Sequence, residues 1–223
     1  MKIVALSDLH GDIARLPEIA DDLASADVVL LTGDLTHFGH RTAAEQILAA
    51  VESYNPHVLA VAGNCDQNDV GELLTERGIN LHGRSITFRG MTYLGVGGSL
   101  SCPGGTPNEL SEEEIGESLY QASRALIPGK PFILVLHQPP LNTQVDRIGK
   151  GHHVGSRSIR DFICEWRPLV ALSGHIHESR GIDTLDATTL VNPGPLAYGG
   201  HVFLELQNGS IASIEIRGRG TAS

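Results

Sequence analysis

A chain of 223 residues, 41% hydrophobic and 19% charged, has enough apolar mass for one domain with a large core, which excludes a disordered segment. The formal charge of −10 argues against a protein that grips nucleic acid by neutralising its backbone phosphates. It leaves a phosphate-containing substrate open, because bound cations reverse the local field.

Residues 3–7 (IVALS) read as a strand, and the spacing of Leu16, Ile19, Ala20 and Leu23 predicts a helix over 12–24, with Asp12 as its cap. A buried strand at 28–32, a helix at 42–51 and a strand at 57–62 follow. These strand–helix repeats indicate parallel pairing with right-handed crossovers. Residues 79–81, 85–88 and 91–96 read as short strands, the last two joined by a turn at Arg89-Gly90. A Gly-, Pro- and Ser-rich loop spans 97–110, before the capping-box start at Ser111 and Glu114. A strand at 131–136, a loop at 137–155, a helix capped by Ser156 or Ser158 and ending near Trp166, and a strand at 169–172 come next. From 181 to 217 the chain breaks into short strands with turns at 192–195, 199–200 and 208–209. With no repeat or linker in view, residues 1–223 read as a single domain with a mixed, two-sheet α/β core.

The odd, scattered Cys65, Cys102 and Cys164, in no CxxC pattern, suggest a reducing, cytoplasmic setting without disulfides. The first residues carry no signal-peptide pattern, and no run approaches the roughly 18 apolar residues of a membrane helix.

The chemistry sits at strand ends. Strand 3–7 runs into Asp8-Leu9-His10, and alternate residues of an extended chain point the same way, so both side chains can reach one ion. The event recurs at Gly33-Asp34, Gly63-Asn64-Cys65-Asp66, His137 and Gly174-His175-Ile176-His177. The candidate metal ligands are therefore Asp8, His10, Asp34, Asn64, His137, His175 and His177. Imidazoles, carboxylates and one amide suit Mn, Fe, Zn or Ni better than Ca or Mg. The set exceeds what one such ion needs, so two divalent ions sharing a carboxylate, roughly 3.5–4 Å apart, are the economical reading.

These blocks, in this order, resemble those of the calcineurin-like metallophosphoesterases over nearly the whole chain. The resemblance implies an α-β-β-α sandwich, with two mixed β-sheets packed together and flanked by helices. It gives Asp8, His10 and His177 to one ion, Asn64, His137 and His175 to the other, and makes Asp34 the bridge. It implies hydrolysis of a small phosphate ester by in-line attack of a metal-bridging hydroxide, with Asn64 helping to stabilise the phosphoryl oxygens.

One position departs from the family pattern. Most members have His after the Asn of the third block, as donor to the leaving oxygen, and this chain has Cys65. A thiol is a poor replacement for an imidazolium acid, which points to phosphodiesters or aryl esters rather than alkyl monoesters. A prokaryotic phosphodiesterase-like subgroup of the family is similar in this respect. Asp66 reads as a residue that orients a ligand or its loop. His37 can supply the missing acid, and His153 or Arg157 can meet the substrate; a solvated loop position is the plain alternative for each histidine. His57, His82 and His201 read as structural, and the turn at Asn192-Pro193-Gly194 as geometric. The rival to an enzyme is a metal-binding scaffold of the same fold used for protein interaction, and the complete ligand set weighs against it. Oligomeric state is not encoded in any motif.

Overall fold

The computed structural model describes residues 1–218, so 219–223 of the expected single domain lie outside the described residues. In chain order the elements are β1 (Lys2–Leu6), α1 (Ala20–Ser25), β2 (Val28–Thr32), α2 (Arg41–Glu52), β3 (Val58–Val61), α3 (Asn68–Glu76), β4 (Arg84–Phe88) and β5 (Met91–Val96). Then come α4 (Glu112–Ser123), β6 (Phe132–Leu136), β7 (Arg147–Ile148), β8 (His152–His153), α5 (Arg157–Trp166), β9 (Val170–Leu172), β10 (Gly181–Leu185), β11 (Thr188–Asn192), β12 (His201–Gln207) and β13 (Ser210–Arg217).

The first strands are apolar without alternation, as a strand covered on both faces requires. In β1, Ile3 and Ala5 face one way and Val4 and Leu6 the other, and all four are fully buried. Ile3 and Ala5 join Val28, Leu30, Tyr93, Val135 and Leu172 in a core between two sheets. Val4, Leu6, Val29 and Leu31 pack on Leu23, Leu48, Val51 and Leu74 of α1, α2 and α3. On the far side, Leu94, Leu134 and Leu136 pack on Ile115, Leu119, Phe162 and Ile163 of α4 and α5. The result is the expected α-β-β-α sandwich.

One sheet has the order β13-β12-β1-β2-β3 and the other β10-β11-β9-β6-β5-β4. β1, β2 and β3 are parallel, with Ile3 opposite Val28 and Val29 opposite Val58. β5, β6, β9 and β11 form the parallel centre of the second sheet. Parallel strands place their carboxyl ends together, where ligands of open α/β sheets collect.

Several local expectations change. The helix expected over 12–24 is a 3-10 turn at Leu16–Ile19 followed by α1. Asp12 caps no helix; it accepts the Ala14 amide in a turn, and Pro17 cannot donate the bond that a helix through 13–17 would need. α3 had no counterpart in the sequence reading. Residues 79–81 make only isolated bridges, because Asn80 spends its side chain on Gly71, Thr75 and His82. The 137–155 loop contains a 3-10 turn and the β7–β8 hairpin. The capping box at Ser111 and the cap at Ser156 form as read.

Candidate metal centre

Each candidate ligand follows a parallel strand: Asp8 and His10 after β1, Asp34 after β2, Asn64 after β3, His137 at the end of β6, and His175 and His177 after β9. The strand ends approach so closely that side chains are excluded beside the ligands. A Cβ on Gly63 would lie 2.0 Å from Asp34 Oδ1, and one on Gly174 would lie 1.8 Å from Ser7 Oγ and 2.6 Å from Asp8 Oδ2. That explains why a glycine precedes a ligand in these blocks. Asp8, His10, Asp34 and His175 all have φ between +47° and +66°, a left-handed conformation in which the sheet ends hold them at some cost in strain.

The side chains converge. His177 Nε2 lies 3.3 Å from Asp8 Oδ1 and 3.3 Å from His10 Nε2. Asp34 directs its two oxygens to different neighbours, with Oδ2 3.7 Å from His10 Nε2 and Oδ1 3.4 Å from His137 Nε2. His137 Nδ1 donates to the Thr32 carbonyl at 2.8 Å, which leaves Nε2 facing Asn64 Oδ1, also at 2.8 Å. The His175 ring lies 5.1 Å from that of His137. Asp8, His10 and His177 form one group with ligand atoms within 4.8 Å of one another; Asp8, Asp34 and His137 form a second, and His10, Asp34 and Cys65 a third.

The donor set fits a cation. Asp8 and Asp34 are 1% and 2% exposed, and among the described residues no Lys or Arg pairs with either. Buried carboxylates without a counter-charge are costly, so the site is built for positive charge. Burial pushes the Asp34 carboxyl up, but His137, His10 and the Cys65 amide outweigh it and hold it below its ordinary range. Burial likewise pushes the His137 imidazole down, and Asp34 and Asp8 overcome it, holding it up at about 9. His175 falls to about 4, through burial first and then His137.

The remaining predicted residues separate. Asp66 is fully buried and accepts the amides of Leu35, Thr36 and Gly63, tying the Asp34 turn to the Asn64 turn. His37 is exposed at the edge of the cluster, its ring edge-on to His10 at 5.6 Å. His153 belongs to another network, with Nδ1 2.7 Å from the buried Asp146, whose carboxylate also accepts amides of Asn142, Thr143 and Gly155. Arg157 donates its amide to Glu112 in the cap of α5. Cys65 donates its amide to Asp34 Oδ1 at 2.8 Å, and burial and then the Asp34 charge push its thiol up.

Four residues outside the sequence reading support the cluster. Asn192 donates to the Ile176 carbonyl at 2.9 Å and so orients the His175–His177 loop, a larger task than a turn. Gln138 accepts the Leu100 amide and donates to the Val154 carbonyl, joining the two loops beside the site. Asn108 donates to the Gly63 carbonyl, and Cys102 places Sγ 3.7 Å from His175 Nε2. Only the Asn-Pro-Gly turn gave a signal for any of them.

Comparison with known proteins agrees with this architecture. The model of the calcineurin-like phosphoesterase family matches residues 1–179. The chain is 39% identical to an uncharacterized protein of Methanocaldococcus jannaschii, covering 89% of this chain and 90% of that one. It is 29% identical to a probable cyclic nucleotide phosphodiesterase of a Synechococcus species, over 82% of this chain and 73% of that protein. The crystal structure of a Thermus thermophilus protein shares the fold, with a TM-score of 0.74 at 21% identity and coverage of 97% and 98%. Fold and family together define a metal-dependent phosphoesterase, a hydrolase of small phosphate esters. The chain belongs to the calcineurin-like phosphoesterase family.

Proposed function

We propose that the protein is a binuclear phosphodiesterase. The observation that carries this reading is the split carboxylate of Asp34, one oxygen toward His10 and the other toward His137. Asp8, His10, Asp34 and His177 would hold one divalent ion, and Asp34, Asn64, His137 and His175 the other. When bound, two such ions supply Lewis-acid stabilisation and a nucleophile active at neutral pH.

The chain's own part is positioning and proton control. Asn64 fixes its carbonyl oxygen on His137, and its amide group remains as a donor for a phosphoryl oxygen. Asp66 locks the two turns that carry Asp34 and Asn64. Cys65 keeps its proton too tightly to protonate a leaving oxygen. Leaving groups that need little protonation, as in aryl esters and diesters, follow from that. His37, at the mouth beside His10, is the imidazole we assign to substrate contact and to any assisted departure. His153 sits with Asp146 on the second loop and is proposed to contact the substrate's far end. The site belongs to one domain. The three cysteines are all free, which supports a cytoplasmic, reducing setting, and among the described residues no helix is long and apolar enough to cross a membrane.

The test is hydrolysis of bis-(p-nitrophenyl) phosphate and p-nitrophenyl phosphate by metal-stripped protein reloaded with Mn, Zn, Ni or Fe(II). Metal-dependent cleavage favouring the diester is expected, and no turnover with any ion would move the protein to the scaffold reading. Cys65→His should raise the monoesterase-to-diesterase ratio by about tenfold or more, the low end of what a positioned acid contributes. An unchanged ratio rejects the proton-donor explanation.

Cation loading should also release protons. With His137 held up at about 9, its ring is protonated at pH 7 in the metal-free protein, and that proton must leave before Nε2 can bind a cation. Calorimetry in buffers of different ionisation enthalpy should show net proton release, with weaker binding at pH 6 than at pH 8. Affinity that does not vary over that interval would contradict the assignment of His137.

A further inference from the structure

A cavity of about 450 Å³ lies along α3, behind the 62–67 segment that carries Asn64. None of the candidate metal ligands lines it. Asn108 forms part of its wall and joins it to the metal centre, donating its side-chain amide to Gly63 and its backbone amide to the Asn64 carbonyl.

Gly71 is the unexpected residue here. It occupies the middle of α3, where glycine is less favourable than alanine by about 0.5–1 kcal/mol. Its φ is not positive, and a Cβ built on it would meet no atom within 4 Å. Neither backbone conformation nor packing calls for glycine. What the missing side chain does is keep this side of the cavity open.

The lining also has a definite chemistry. His82 Nδ1 accepts the Gly97 amide at 3.1 Å, so the neutral ring carries its proton on Nε2 and offers a donor. Burial lowers the pKa of His82 and keeps it in that neutral form. Glu72 and Glu76 add acceptors, and Glu76 is ion-paired with Arg41. Among the described residues no Lys or Arg lines the cavity, so a phosphate group is repelled from it while an uncharged group with N–H donors is favoured. The volume lies within the range of small-molecule pockets.

We propose that this cavity binds the organic group of the phosphate ester, an uncharged heterocyclic group bearing N–H donors, while the phosphate lies at the metal centre. The inference rests on the phosphoesterase reading above. Adenosine is the probe, and Gly71→Leu is the variant, since leucine fits the open space and favours helix. Isothermal titration of adenosine into the wild-type protein should show binding, and Gly71→Leu should weaken it by about tenfold or more, ~1.4 kcal/mol per decade. A melting temperature equal to or above wild type shows that the variant folds. In the manganese-loaded wild type, adenosine should raise KM for bis-(p-nitrophenyl) phosphate without lowering kcat. No adenosine binding by the wild type, equal binding by both proteins, or binding that leaves KM unchanged each overturns the proposal. If no metal supports hydrolysis while adenosine binds and Gly71→Leu blocks it, the phosphoesterase mechanism fails and the cavity stands as a ligand site.

Discussion

Replacing Asp34 by alanine is expected to abolish metal-dependent hydrolysis and to lower bound metal from two equivalents to one or none. The carboxylate sits between the His10 side and the His137 side of the cluster, one oxygen to each, and is 2% exposed. Its loss removes a ligand from both proposed ions at once. Removal of an outer partner of a metal ligand costs 10–100-fold in metal affinity or activity, so loss of a shared ligand should reduce turnover by at least about 100-fold. The substitution also frees the Cys65 amide, which donates to Asp34 Oδ1 at 2.8 Å, and loosens the turn that presents Asn64. Metal analysis separates the causes: lost metal with a retained fold supports the bridge. Wild-type turnover with two bound equivalents in Asp34→Ala would remove Asp34 from the centre, and the binuclear reading with it.

The cluster was legible in the sequence because its rule is local. An apolar strand ends, a glycine lets another backbone pass, and a ligand follows; Gly33-Asp34, Gly63-Asn64 and Gly174-His175 each show it. The strands were legible for a related reason. Both faces of the sheets are covered, so the runs at 28–32 and 131–136 are apolar throughout and have few other readings. α1 was overread because its apolar spacing continues through Pro17, where the backbone cannot. α3 was missed because its buried face is only Val70, Leu73 and Leu74, interrupted by Gly71.

The supporting residues follow no local rule. Gln138 links loops that meet at Leu100 and Val154, and Asn192 reaches back to Ile176; each contact exists only once the sheets have assembled. Sequence separation hides such residues, whatever their effect on the site. His153 shows the converse. Its neighbourhood in the chain suggested substrate contact, and the partner the fold gives it is Asp146, a residue the sequence reading passed over.

Asp66→Ala tests the most consequential of the buried supports. One carboxylate accepts the amides of Leu35 at 3.1 Å, Thr36 at 2.8 Å and Gly63 at 2.8 Å, and the Thr36 hydroxyl at 2.8 Å. Burial, and then the Asp34 charge, push its acid up to about 6, so the protein holds a costly group here for the bonds it makes. Alanine would leave buried donors unpaired, each worth about 1–3 kcal/mol, and a total loss of about 3–5 kcal/mol is expected. For a chain of this size that corresponds to a fall in melting temperature of about 10 °C. Asp66→Asn retains one acceptor but turns an NH2 group toward backbone donors, and should fall between the two. Because the turns carrying Asp34 and Asn64 are no longer tied together, metal affinity should drop in both variants, more in alanine than in asparagine. A variant that melts within about 2 °C of wild type, a change of under ~1 kcal/mol, and binds metal as tightly would make Asp66 an ordinary turn residue.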